Sequence, residues 1–195
     1  MTSVDPLLRP GLLRDALSEA WRSLRTPRVP DYYVAEPSRT PRDLWLWRLD
    51  RIRDTLEQAR AVLEQQGWTS GAWFTVQQPS GQPRLVTAAE AFDLRDPRRD
   101  VVSSCLVGTL VRLADDPDRA VSVPDAWGCV DELYEAMHER LGHHSFPPGR
   151  SYPHEQRRAH LRALTAWNDA PGRSREQVLD LVDRAIARTI VAPCL

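Results

Sequence analysis

Lysine is absent from this chain: all 26 basic residues are arginine, set against 27 Asp and Glu for a formal net charge of −1 and a pI near 6.5. That balance generates no whole-protein field to gather polyanions, so binding of nucleic acid would have to rest on a local patch. Cysteine is scarce as well. Cys105, Cys129 and Cys194 are odd in number and follow no CxxC spacing, which argues against a disulfide framework and against a zinc ribbon. Long apolar runs are missing: no stretch approaches the ~20 residues of a membrane span. Met1 to Leu17 mixes Asp5, Arg9, Arg14 and Asp15 among its leucines and has no continuous leader core. No glycine loop matches a Walker or dinucleotide fingerprint, and no Gly-x-Ser-x-Gly elbow occurs. The expectation is a cytoplasmic protein with no membrane association and no cofactor signature. Arginine in place of lysine, beside abundant Ala, Pro and Asp, reads as coding from a GC-rich genome, with an actinobacterial source expected.

What is present fits one domain with an extension, and a chain of 195 residues buries roughly 70% of its unfolded surface. Residues 1–40 read as the extension, with a helix over about Gly11 to Leu24 and then a passage broken by Pro27, Pro30 and Pro37. The compact part, 41–192, opens at Thr40-Pro41, an N-cap followed by proline at the first helical position. Trp45, Leu49, Ile52, Leu56, Ala59 and Leu63 then recur at steps of four and three, predicting a helix to Gln66. Gly67 is placed for a left-handed C′ position, with Trp68 touching Leu63 in a Schellman ending. Trp47 lies off the stripe, either covered by the extension through Trp21, Tyr32 or Tyr33, or offered to a partner.

Gly71 to Gln78 alternates Ala72, Phe74 and Val76 against Trp73, Thr75 and Gln77, a strand that turns at Pro79-Ser80-Gly81-Gln82 and returns over Arg84 to Thr87. Thr87 to Glu90 is a capping box for a short helix. Asp100 then caps a predicted helix over Val101 to Ala114, apolar nearly all round and therefore expected to be central, with Gly108 set for close approach of another backbone. Ser122 begins a helix with the stripe Trp127, Val130, Tyr134, Met137 and Leu141. Two more helices follow, His154 to Asn168 and one from Ser174 that buries Val178, Leu181, Val182, Ala185, Ile186 and Ile190. The predicted fold is mainly α, a compact multi-helix domain with a small β-hairpin near residues 71–87.

Cys105, His143 and Asp169 follow the chain order of a papain-like thiol enzyme, which makes a Cys105-dependent hydrolase or transferase the alternative function. Its context argues against it, because a cysteine a full turn inside an apolar helix is buried, has a raised pKa and is inert. Glu135 and His138, with Asp131 one turn earlier, form a single Glu-x-x-His motif where a di-iron bundle needs two. His143, His144, His154 and His160 have no spacing that fixes metal ligands. These are read as solvent-facing polar residues, with no metal assigned. The last two helices could form a helix–turn–helix, but Glu176, Asp180 and Asp183 beside Arg184 and Arg188 make a poor groove-reading face. Asp180 and Arg184 suit an i,i+4 surface pair instead.

The turn Trp167-Asn168-Asp169-Ala170-Pro171-Gly172-Arg173 carries the polar residues least explained by helix patterning. Pro171 disfavours helix at Ala170, Asn168 tolerates a left-handed cap, Gly172 permits positive φ, and Asp169 can accept turn N–H groups or Arg173. The same turn is also the candidate binding surface: Trp167, Asn168, Asp169 and Arg173, with Trp73 and the loop His143 to Pro153 beside it, combine aromatic anchors with polar groups. The expected function is a non-catalytic protein-interaction or regulatory role with another protein as partner.

Three motifs, Gly67-Trp68-Thr69-Ser70-Gly71-Ala72, Cys105-Leu106-Val107-Gly108-Thr109 and Trp167 to Arg173, together with the Gly81 turn, give the chain a wider affinity. Over roughly residues 45–191 it resembles the small actinobacterial and phage proteins grouped as domain of unknown function 6197. Thr109 stands where those proteins usually have alanine, and the segment 85–100 is longer than usual. Residues 1–44 have no counterpart. The resemblance implies a shared fold and carries over no activity.

Overall fold

In a computed structural model, the structure describes residues 40–87, 90, 101–116 and 118–191. Among these are five helices and a three-stranded sheet: α1 (Pro41–Gln66), β1 (Phe74–Gln77), β2 (Pro83–Val86), β3 (Val101–Ser104), α2 (Leu106–Asp115), α3 (Val123–Arg140), α4 (His154–Asn168) and α5 (Arg175–Val191). The readings of residues 1–39, including the helix over Gly11 to Leu24 and its cover over Trp47, lie outside the described residues.

Local chemistry sets most boundaries. Thr40 and Asp43 close a reciprocal capping box on α1, and Ser122 and Asp125 do the same on α3, each with proline in the first turn. Ser174 and Gln177 exchange backbone and side-chain bonds at the start of α5 (3.2 and 3.3 Å). Thr87 and Glu90 likewise form their box; the helix it was expected to open lies outside the described residues. The α1 stripe is buried at Leu49, Ile52, Leu56, Ala59 and Leu63, while Trp45 is half-buried.

The hairpin forms as expected, with β1 pairing antiparallel to β2 from Phe74↔Val86 to Gln77↔Pro83. The sheet has a third member. Val101 to Ser104, expected to be the first turn of a helix, is strand β3, which pairs antiparallel with β1 on its other side and gives the order β2-β1-β3. A segment as short as Val-Val-Ser-Ser does not by its pattern distinguish strand from helix, and pairing with β1 decides for the strand. A register shift between Thr75 and Val76 marks an irregularity in that ladder.

Gly67 departs from its predicted ending. Its φ of 96° is positive, but its ψ of 162° is extended, so the chain leaves α1 straight instead of curling into a Schellman turn. Trp68 then bridges in parallel to Ser104, and Gly67 O accepts from Ser104 N at 3.3 Å. Gly108 meets its expectation. A Cβ there would lie 2.6 Å from the carbonyl oxygen of Trp73, so α2 packs directly on the backbone leading into β1.

The central helix is α3, not the predicted 101–114 segment, since α3 touches all four other helices. Every residue from Asp125 to Leu133 is buried. Two stripe ends are corrected: Leu141 is 62% and Ile190 51% exposed, each at the end of its helix, and Thr189 takes the buried position on α5. Among the described residues no helix is long and apolar enough to cross a membrane.

Candidate functional site

The Trp-Asn-Asp turn has an inner and an outer half. On the inner side Asn168, 1% exposed, ends α4. Its Oδ1 accepts from Trp68 Nε1 at 2.8 Å and from Leu106 N at 3.2 Å, and its Nδ2 donates to Thr69 O at 3.4 Å and Asp169 Oδ1 at 2.7 Å. Leu106 N is one of the first N–H groups of α2, which have no partner within their own helix. One amide thus ties the segment after α1, the start of α2 and the end of α4. Asp169 extends the link by accepting from Gly71 N at 2.9 Å, so its partner is the loop into β1 and not Arg173. No non-glycine residue has positive φ among those described, so the left-handed cap expected at Asn168 is not used; Gly172 has φ 78° as predicted.

Cys105 lies at this junction, but not where its sequence context put it. With Val101–Ser104 a strand, Cys105 becomes the N-cap of α2, its Sγ accepting from Gly108 N at 3.2 Å. Helix N-termini usually favour a thiolate. Here burial wins: the residue is 3% exposed, and desolvation pushes the thiol up to about 12, with the Asp169 carboxylate adding to the rise. His143 is at the far side of a ring stack, 5.3 Å from the His138 ring at the end of α3. The three residues of the thiol-enzyme reading are therefore held by separate structural partners. Thr109, in place of the usual alanine, is fully buried and bonds Ser104 Oγ (2.6 Å) and Cys105 O (3.0 Å), which satisfies its hydroxyl.

A second polar cluster runs along α3. Asp131 and Glu135, expected to face solvent or a metal, are 1% and 4% exposed, and Glu132 between them is 2% exposed. Asp131 bonds His160 Nδ1 at 2.9 Å and Arg157 Nε at 3.0 Å. Glu135 accepts from Phe146 N at 2.9 Å and from the Tyr152 hydroxyl. Glu132 accepts from Gly149 N at 2.7 Å and pairs with Arg188 Nε at 3.1 Å. Burial raises the Glu132 pKa against these bonds, and burial with the Glu135 contact raises that of Tyr152. His160 is stacked on Tyr134 at 3.9 Å between ring centroids and meets Tyr152 edge-on at 4.7 Å. The carboxylates of α3 therefore fasten the loop 141–153 and the start of α4 to the core. Among the described residues no group of three or more His, Cys, Asp or Glu side chains is arranged to hold a metal ion.

The outer half of the turn is different. Trp167 is half-buried, and the Arg173 guanidinium lies over its ring at 3.8 Å. Arg173 Nε also donates to Trp167 O at 3.0 Å, and Nη1 to Gln177 Oε1 at 3.2 Å. Trp73, the other proposed aromatic anchor, is 4% exposed in the core, because the backbone into β1 is covered by α2. Asp180 pairs with Arg184 at 3.0 Å as expected and with Arg140 at 3.1 Å, while Arg188 points to Glu132; the last helix thus spends its arginines within the fold.

A model of the family of unknown function DUF6197 matches residues 47–188. The chain belongs to this family. Among curated proteins and solved structures there is no match. The three motifs, scattered along the sequence, converge at Asn168 and Asp169: the first supplies Trp68 and Thr69 to the Asn168 amide and Gly71 to the Asp169 carboxylate, the second supplies Leu106, and the third holds both acceptors. The burial of Asp131 and Glu135 on α3 overturns their expected solvent-facing position. Its signal was present, because Asp131 stands four residues from buried Trp127 and one from Val130, on the flank of the apolar stripe.

Proposed function

We propose that this protein is a non-catalytic binding module whose partner is another protein, engaged through the outer half of the Trp167–Arg173 turn. The observation that carries this reading is the division of the turn. Asn168 and Asp169 are consumed by internal bonds, while Trp167 and Arg173 form a stacked aromatic–cation pair at the surface. Tryptophan and arginine are the side chains most often found at the energetic centre of protein interfaces. The thiol that the alternative reading needs, Cys105, is buried and pushed up to about 12.

The test is partner capture by full-length protein from its native host, compared across Cys105→Ala, Trp167→Ala and Arg173→Gln. Capture that survives Cys105→Ala and is lost in the two outer variants, with melting temperatures near wild type, supports the module. A thiol-dependent hydrolase or transferase remains the second reading, because Cys105 does head α2 with Gly108 N on its sulfur. Loss of an acyl or alkyl adduct at Cys105 on mutation, with outer variants unaffected, would favour that reading instead.

A further inference from the structure

We infer that the outer face of the turn binds an acidic segment of a protein partner, through the Arg173 guanidinium stacked on Trp167 together with Arg140. This deepens the binding reading above and rests on it. The helix packing brings the two arginines together. Trp127 faces His154 (6.4 Å between rings), Asp131 bonds His160, and Tyr134 stacks on His160, so α3 and α4 run parallel and end on the same side of the molecule. Arg140 in the last turn of α3 therefore approaches Arg173 just beyond α4. Burial and the like charge of Arg140 both act against the Arg173 cation. No carboxylate within the described residues pairs with Arg173, which donates to a carbonyl and to an amide oxygen. An incoming carboxylate would relieve the repulsion and complete a charge-assisted fork, the geometry for which arginine is suited. Leu141, 62% exposed and adjacent to Arg140, adds an apolar edge next to the cations.

Charge complementarity favours a short acidic peptide over a nucleic acid. One acidic side chain needs only the Arg173–Arg140 pair, whereas an extended phosphate backbone needs a continuous basic track, and here the arginines alternate with the carboxylates of Asp180 and the exposed Glu176. The net charge of −1 supplies no long-range attraction to compensate.

The experiment follows the arginine Nε–H resonances of isotopically labelled full-length protein during titration with acetylated hexaglutamate, with hexathymidylate and inorganic phosphate as comparisons. The expected result is a shift at Arg173 and Arg140 with hexaglutamate at low salt. Affinity should fall about tenfold in Arg173→Gln, the loss of one charge-assisted pair, and measurably in Arg140→Gln. Arg140→Gln keeps the test decisive should Arg173→Gln perturb the turn, since Arg140 bonds only a surface carboxylate. No shift with hexaglutamate, equal binding by both variants, or tighter binding of hexathymidylate would overturn the inference. A photocrosslinker placed at Leu141 in the native host separates it from the broader reading. A crosslinked partner lacking acidic residues at the contact refutes the acidic segment and leaves the binding module standing. Hexaglutamate binding without any crosslinked protein refutes the module.

Discussion

Replacing Asn168 by alanine should remove more stability than an ordinary helix cap. The amide is 1% exposed and makes four hydrogen bonds, at 2.7 to 3.4 Å, to Trp68, Thr69, Leu106 and Asp169. Alanine leaves Leu106 N and Thr69 O without their side-chain partner at a site closed to water, and an orphaned buried polar group costs about 1–3 kcal/mol. Trp68 Nε1, only part-buried, recovers some solvation, and Asp169 keeps its bond from Gly71 N. Two uncompensated groups and a small void together give a loss of about 3 kcal/mol, a large share of the ~5–15 kcal/mol that holds a typical domain. Urea unfolding followed by tryptophan fluorescence measures this, since Trp68 reports on the junction itself. Asn168→Asp should be nearly as harmful, because it keeps the acceptor oxygen but loses the donor to Thr69 O and places a second carboxylate against Asp169. A midpoint for Asn168→Ala within error of wild type, at unchanged m-value, would refute the view that this amide joins three segments.

Gly67→Ala should cost about 1–3 kcal/mol, the usual range for a residue forced into a glycine-only region; space is not the issue, since the nearest neighbour to a new Cβ is Ser103 Cβ at 3.6 Å. A thermal melt superimposable on wild type would argue that the chain there relaxes freely. Asp131→Ala strips Arg157 of its buried counter-ion and His160 Nδ1 of its hydrogen-bond partner, and should lower unfolding free energy by about 3 kcal/mol or more, read by denaturant titration. Alkaline pH should destabilise the fold through Cys105. Its thiol is held up to about 12 in the folded chain, above the ~8.5 of an exposed thiol, so between those values the unfolded chain loses its proton first and stability falls by up to ~1.4 kcal/mol per pH unit. Cys105→Ala should reduce that slope in melts taken across the same range.

Helix existence was legible because capping and periodicity agree locally: Thr40-Pro41, Ser122-Pro124 and Ser174-Gln177 all start helices as read, and Asn168 ends one. The segment Val101–Ser104 was not legible, because its identity as a strand is set by pairing with Phe74 to Val76, a long-range choice. That misassignment moved Cys105 from helix interior to N-cap, yet its burial, which the apolar setting did signal, is as expected. Gly67 was correctly seen to need positive φ, but its ψ depends on Ser104 bonding back to it. The buried carboxylates of α3 were misread as surface groups because sequence gives no view of Gly149, Phe146 and Tyr152, whose bonds make their burial tolerable.

The account turns on Cys105 being a packing residue and not a nucleophile. Incubating the native protein at neutral pH with a small alkylating reagent, followed by peptide mapping, measures this directly. The prediction is no detectable modification of Cys105 over hours, with full modification once the chain is unfolded in urea. Rapid stoichiometric labelling of Cys105 in the folded protein would contradict it and bring the thiol-enzyme reading forward.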